Sequence, residues 1–323
     1  MTRSRLVIAA KLALSGGIIY LLGQRFEARQ LLESMHGFDP SYLLASIFCA
    51  VLAVPIVGYR WVLLAKALSV SISFVEAVNA TFAGLFVGQI LPGAIGADLV
   101  RGWMVWRAKV SNKRMIASLV LDRVVSLGAV GLMIAGTLPF LIVRLPREHF
   151  LWVVWSLLGL TGCLIAAYVG LRLFGRISKN LSLRAMIDKL DLKRLKLSVS
   201  DALVLAALGI AGHVAMIVSA YFLSKAIGMN SALWMWMLVM PVVILASAIP
   251  LSINGWGVRE FMMIQLWASF GFLESEAFLT SVCLGAVAMA SSLPGVWFYL
   301  KRKSGRSRES LEKYAQGFSK RLV

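Results

Sequence analysis

The chain has 323 residues, 59% hydrophobic and 15% charged, with a mean hydropathy of +0.82 and a formal net charge of +18. Those values exclude an ordinary soluble domain, in which about a quarter of residues are charged. The Lys and Arg fall between and after apolar runs rather than among interleaved aromatics, which points to anionic headgroups and membrane topology and not to nucleic acid.

Apolar runs of about 20 residues match helices crossing a hydrocarbon core of about 30 Å, and the alternating pattern of barrel strands is missing. The expected fold is therefore an all-α polytopic membrane protein. In chain order, spans are expected at 6–22, uncleaved because no small-x-small site precedes Arg25, and at 42–64. A run at 74–91 meets a break at Pro92 and Gly93 and continues as a shorter amphipathic piece to Arg107. After a basic loop at 109–114 come spans at 115–143 and 150–171. The polar region 172–201 carries eight Lys or Arg against three Asp, with Leu183, Met186, Ile187 and Leu190 at helical spacing. It reads equally as a surface helix or as a plain basic loop. Spans follow at 202–223 and 233–249, then a second break at 250–257, a piece to Phe270, a last span at 277–300 and a basic tail at 304–323. Cys49, Cys163 and Cys283 sit in different apolar runs without metal-type spacing and read as reduced packing residues.

The two breaks resemble each other. Segment 91–101 reads LPGAIGADLVR and segment 249–259 reads IPLSINGWGVR; with Pro92 laid on Pro250 they share Pro, Ile, Val and Arg, 158 residues apart. Positive charge places both termini, the 109–114 loop and the 172–201 region on the cytoplasmic side, which the number of crossings permits only if one broken segment is a hairpin entering and leaving on the same side, and both are read as hairpins. Six full spans plus two re-entrant hairpins result, in units of about 1–144 and 145–303 with opposite orientation, forming one transmembrane domain. The rival is eight or more plain crossings with proline kinks. A piece such as 94–107, at about 1.5 Å per residue, reaches only about 21 Å and does not cross comfortably.

Six ionisable residues lie in or beside apolar helix: Asp98, Arg101, Asp122, Arg123, Arg259 and Glu260. Facing lipid, they would cost about 2.5–3.5 kcal/mol each, on the order of 15–20 kcal/mol together. They must pair, reach an interface or line a wet cavity. Asp98 and Arg101, three apart, share a helical face, either as a structural salt bridge or with Arg101 holding a phosphate that Asp98 orients. Adjacent Arg259 and Glu260 point about 100° apart on a helix and are not expected to neutralise each other. Asp122 and Arg123 are open between a structural role near the interface and a functional one. Gly96, Gly255 and Gly257, with Gly93, permit unusual dihedrals and expose helix-end amides to an anion, or simply pack a hairpin tip tightly. Arg60 beside Trp61 reads most simply as an interface anchor, His213 as a packed core histidine, and Asn254 as a partner for freed backbone groups. The chain carries no GxSxG, HExxH, paired acidic motif or P-loop, so neither an enzyme nor a cofactor or metal is expected.

LVLDRV at 119–124, LPGAIGADLVR, the Arg60-Trp61 pair and IPLSINGWGVRE at 249–260 together resemble the flippase-like transmembrane domain of lysylphosphatidylglycerol synthases, over about 1–303. The family pattern more often has Gly-Gly-Asp where this chain has Gly96-Ala97-Asp98. The soluble aminoacyl-transfer domain is not expected here, and neither is lysyl transfer. The resemblance implies movement of an anionic phospholipid or polyprenyl-phosphate-linked lipid across a bacterial inner membrane. Arg101 and Arg259 would be phosphate stations on opposite sides of the midplane, Asp98 and Glu260 would tune them, and one carboxylate would carry a coupling proton. Presentation of a lipid to a separate lipid-modifying enzyme, or intramembrane transfer, are the alternatives.

Overall fold

A computed structural model describes residues 16–18, 20–24, 26, 37–90, 94–106, 112–144, 197–248 and 255–304. All regular structure among them is helical: α1 Pro40–Ala67, α2 Phe74–Ile90, α3 Ala94–Val105, α4 Asn112–Arg144, α5 Val199–Ala226, α6 Leu233–Ala248, α7 Val258–Ala268, α8 Glu274–Ser292 and α9 Pro294–Ser304. Pro92, Gly93, Pro250, Asn254 and Cys163, the expected span at 150–171, and most of 6–22 and of the polar region lie outside the described residues.

Length separates these helices into two kinds. Four segments, Pro40–Ala67, Lys113–Phe140, Val199–Ala226 and Glu274–Ser292, are long and apolar enough to cross a membrane. By contrast α2, α3, α6 and α7 have 17, 12, 16 and 11 residues. At about 1.5 Å per residue they reach roughly 16–26 Å, short of a core of about 30 Å.

Capping sets the starts of the two central helices. Pro40 occupies the first turn of α1, where its missing N–H costs nothing, and the Asp39 carboxylate accepts from Ser41 N–H at 2.8 Å. At α5, Ser198 and Asp201 form a reciprocal capping box. Both helices run 28 residues and pack along each other, joined by a buried hydrogen bond between the Ser46 and Ser219 hydroxyls at 3.1 Å.

Around this pair, α2 packs on α3 and on α1, while α6 packs on α7 and on α5. Helix α4 lies against α5 and α6, and α8 lies against α1 and α2. Gly84 and Gly88 bring α2 and α3 together: a Cβ on Gly84 would stand 2.8 Å from Ala97 O and from Arg101 Cγ, and one on Gly88 would stand 3.1 Å from Ala97 Cβ. A step back along α2 is thus a step forward along α3, so the two run antiparallel. Small residues four apart allow this approach, as between helices in lipid.

The expected continuous span at 277–300 is corrected. The helix stops at Ser292, and α9 restarts at Pro294. Proline has no N–H to donate and its ring collides with the carbonyl four residues back, so α8 ends there. The break lets α9 reach α2, where Gly295 meets the Phe82 backbone so closely that a Cβ would overlap its carbonyl, while Phe298 packs on Phe82 and Tyr299 on Trp103.

Gly295→Ala is therefore expected to destabilise the protein by about 1–3 kcal/mol through overpacking against rigid backbone. Gly128→Ala, on α4 with no atom within 4 Å, is expected to be neutral or slightly stabilising. Thermal unfolding of both variants in one detergent checks the contrast; equal midpoints would contradict the packing described.

Candidate functional site

Five ionisable side chains from α1, α3 and α4 form one chain of ion pairs. Arg60 Nε donates to Asp122 Oδ1 at 2.8 Å, and Arg101 Nη1 donates to Asp122 Oδ2 at 2.8 Å. Arg101 Nη1 also reaches Asp98 Oδ1 at 3.3 Å, and Arg123 Nε donates to Asp98 Oδ2 at 2.7 Å. Arg60, Arg101 and Asp122 are buried, while the Arg123 side chain is 47% exposed. Both oxygens of both carboxylates are engaged.

Arg101 is gripped from two further sides. Its guanidinium carbon stands 4.5 Å from the Trp61 ring centroid, and its stem passes Gly84 of α2. The Trp61 ring is itself pinned, Nε1 donating to Ser118 Oγ at 3.0 Å. A cation over a desolvated aromatic face gains about 2 kcal/mol. Yet Arg101 Nε and Nη2 are buried and have no hydrogen-bond acceptor among the described residues. A buried donor left without an acceptor is costly, and more so when charged.

A second network sits at the start of α7. Gly255 and Gly257 have φ of 79° and 88°, left-handed values that favour glycine and turn the chain into the helix. Glu260 is fully buried; its Oε2 accepts from the Gly257 backbone N–H, and its Oε1 accepts from Arg259 Nη2 at 2.8 Å, Arg259 Nε at 3.1 Å and Ser281 Oγ at 3.0 Å. Arg259 Nε also donates to Ser281 Oγ at 3.1 Å, and its guanidinium carbon lies 4.7 Å from the Trp256 ring centroid. Gly285 makes room for that stack, since a Cβ there would overlap the Trp256 ring.

Three expectations change. Arg60 is not an interface anchor: at 3% exposure it lies inside the bundle, because Asp122 offers it a charge-assisted partner on the neighbouring helix. Arg259 and Glu260 do pair. Glu260 curls back to the first turn of α7 to take the Gly257 amide, which swings its other oxygen alongside Arg259. Asp98 and Arg101 meet as their spacing suggested, but the shorter contact of each is elsewhere, with Arg123 and Asp122 respectively. Gly96 is buried in α3, on the hairpin.

A pocket of about 220 Å³ is bounded by α1, α2, α4, α5 and α8 and lined mainly by aliphatic groups. Its polar members are Arg60, Thr81, Gln89, Ser126, His213 and Ser291. His213, expected as a core residue, is half-buried on this wall with Nε2 3.2 Å from both the hydroxyl and the carbonyl oxygen of Ser126. Arg60 thus belongs to the pocket and to the ion-pair chain together.

Sequence reading did not find Ser281, Trp256 or the stacking role of Trp61. Ser281 carries no signal in the sequence. The two tryptophans lie in motifs that were recognised, at 60–61 and 249–260, without a sign that each faces an arginine.

A model of the family described as "Lysylphosphatidylglycerol synthase TM region" matches residues 8–295 of the chain. A search of curated proteins finds no match.

Asp122 holds two buried arginines apart, so Asp122→Asn is expected to cost about 3–5 kcal/mol, the usual penalty for breaking a buried pair and stranding its partner. Arg123→Ala, at the exposed end, is expected to cost about 1 kcal/mol or less. Unfolding midpoints of the two variants in detergent measure this order, and a reversed order would show that Asp122 is not the central counterion.

Proposed function

We propose, from the premise that the chain belongs to the lysylphosphatidylglycerol synthase TM-region family, that it moves an anionic, phosphate-bearing lipid between the leaflets of a bacterial inner membrane. The observation that carries this reading is Arg101: a buried guanidinium with two donors that no described residue accepts, at the foot of a hairpin too short to cross a bilayer. Phosphate oxygens match such donors in charge and spacing. The largely apolar pocket that shares Arg60 with this network suits the hydrocarbon nearest the headgroup.

In this reading α2 with α3 and α6 with α7 are re-entrant hairpins of an inverted repeat, with both termini cytoplasmic. Exchanging the halves turns α1–α2 packing into α5–α6, α4–α5 into α8–α1, and α4–α6 into α8–α2, and each of these contacts occurs. Such a pattern is what a pseudo-two-fold axis produces, and in transporters that axis passes through the site. Arg101 and Arg259 are equivalent under the exchange and form successive stations for the phosphate.

The protein reconstituted in liposomes should accelerate transbilayer movement of labelled phosphatidylglycerol over empty vesicles, and Arg101→Gln should lower the protein-dependent rate at least about tenfold, equivalent to about 1.4 kcal/mol. A rate equal to that of empty vesicles, or one unaffected by Arg101→Gln, sinks the proposal.

A further inference from the structure

Between Asp201 and Tyr221, helix α5 carries one side chain that can hold a charge, His213. An ionisable group in the middle of an apolar helix is costly and is kept where it has a partner or a task. Close packing places the ring: a Cβ on Gly209 would stand 2.7 Å from Ala129 Cβ, so α5 and α4 approach closely there, and one turn further His213 reaches Ser126. Its Nε2 lies 3.2 Å from both the Ser126 hydroxyl and the Ser126 carbonyl oxygen. A carbonyl can only accept, so the neutral ring carries its hydrogen on Nε2 and keeps a lone pair on Nδ1. Nδ1 has no hydrogen-bond partner among the described residues, and the ring borders the pocket. Polar atoms inside proteins are nearly always hydrogen-bonded, so a basic nitrogen left open on a cavity wall is available to what enters the cavity.

Arg60 shares that wall. Its Nη1 lies 3.6 Å from where a Cβ on Gly209 would stand, one turn before His213, while its Nε holds Asp122. Asp122 and Ser126 are one turn apart on α4, so the ion pair and the histidine bond are successive rungs on one face. Besides Arg60, α1 carries Tyr42, Cys49, Tyr59 and, in its last turn, Lys66. Besides Asp122, α4 carries Arg123, bound to Asp98, with Lys113, Arg114 and Arg144 towards its ends. Helix α6 has no ionisable side chain; α8 has Glu274 and Glu276 in its first turn and Cys283 beyond them, but gives the pocket Ala288 and Ser291. Among the described residues lining the pocket, the ionisable ones are therefore Arg60 and His213.

The carboxylates are already occupied. Both oxygens of Asp98 and Asp122 accept from arginines, and those of Glu260 accept from Gly257, Arg259 and Ser281. We infer that His213 is the site that takes a proton into the pocket, on Nδ1 while Nε2 keeps its bond to Ser126, and that this proton and the anionic cargo favour each other. Imidazole is the side chain that ordinarily exchanges its proton between about pH 5 and 8. The proton comes from water admitted to the pocket and returns to water, so the ring ends each cycle neutral. Protonated His213 sets a second positive charge on the wall that holds Arg60; in a cavity of low dielectric this draws an anion, and by reciprocity a bound anion holds the proton. The coupling rests on the transport reading, whereas the proton site rests on its own geometry.

The sequence has 3 histidines, so the full chain with His36→Gln and His149→Gln keeps His213 as its sole imidazole. Nitrogen-15 NMR of that chain in maltoside micelles should show the Nε2–H tautomer at about pH 8 and a protonated ring at about pH 5. At about pH 6.5, saturating dioctanoyl phosphatidylglycerol should raise the ratio of protonated to neutral ring at least about fivefold, the lower end of ordinary coupling between sites. In liposomes, acidifying both sides from about pH 8 to about pH 6 should raise the rate of phosphatidylglycerol movement at least about fivefold in wild type and less than about twofold in His213→Gln, which keeps a donor for Ser126 but takes no proton. The NMR titration leaves His213 in place and decides the matter should His213→Gln fail to fold. A ring still neutral at about pH 5, an Nδ1–H tautomer, a protonated fraction indifferent to the lipid, or a pH response that survives in His213→Gln would each overturn the inference. Lipid-linked protonation without lipid movement at either pH would refute the transport reading alone.

Discussion

Hydrocarbon cannot solvate a charge, and this chain places three arginines and two aspartates where α1, α3 and α4 meet. Each carboxylate must therefore serve two cations, and the geometry follows from that demand. Asp122 faces Arg60 with one oxygen and Arg101 with the other, which binds the first long helix, the short arm of the first hairpin and the second long helix into one unit. A helix of 12 residues with a buried guanidinium gains little stability alone; here it is held by the ion pairs, the Trp61 face and the close contact at Gly84.

The second hairpin solves the same problem by other means. Among the described residues no aspartate faces Arg259 from the neighbouring span; α8 offers Ser281, and the counterion is the next residue along the chain. A glycine-rich turn makes that possible, because left-handed backbone at Gly255 and Gly257 aims the first amides of α7 at Glu260. The α6–α7 site is thus closed upon itself, whereas Arg101 keeps two buried nitrogens without an acceptor among the described residues. Two arginines at matching positions of the two similar segments consequently have different chemistry.

The short helices bear on the same point. Short helices that carry charged side chains in a membrane protein are tolerated only where protein or a polar cavity covers them. Here α8, α9 and the α1–α5 pair supply the cover, and the turn at Pro294 is what folds α9 back over α2. The pocket that opens beside Arg60 takes its walls from α1, α2, α4, α5 and α8, so a change in how these helices meet would alter it directly.

Much of this was legible in the residues. Apolar run length and charge placement identify an all-helical membrane protein, the Pro and Gly breaks fall between α2 and α3 and between α6 and α7, and the motifs at 60–61, 91–101, 119–124 and 249–260 identify the family. Those are local properties: hydrophobic period, backbone permissiveness and residue order act within a few turns of chain. Which carboxylate meets which arginine was decided only by the tertiary structure. Helical spacing pointed to Asp98 for Arg101 and to a partner elsewhere for Arg259 or Glu260, because it ranks neighbours on one helix and is blind to a facing one. Asp122 wins over Asp98 as the closer partner because packing of α4 against α1 and α3 brings it between two guanidiniums. The sequence by itself determined six of the charges that lie in or beside apolar helix, Arg60 excepted; the assembly of helices decided which of them are neutralised, and left the side edge of Arg101 as the one buried guanidinium edge without an acceptor among the described residues.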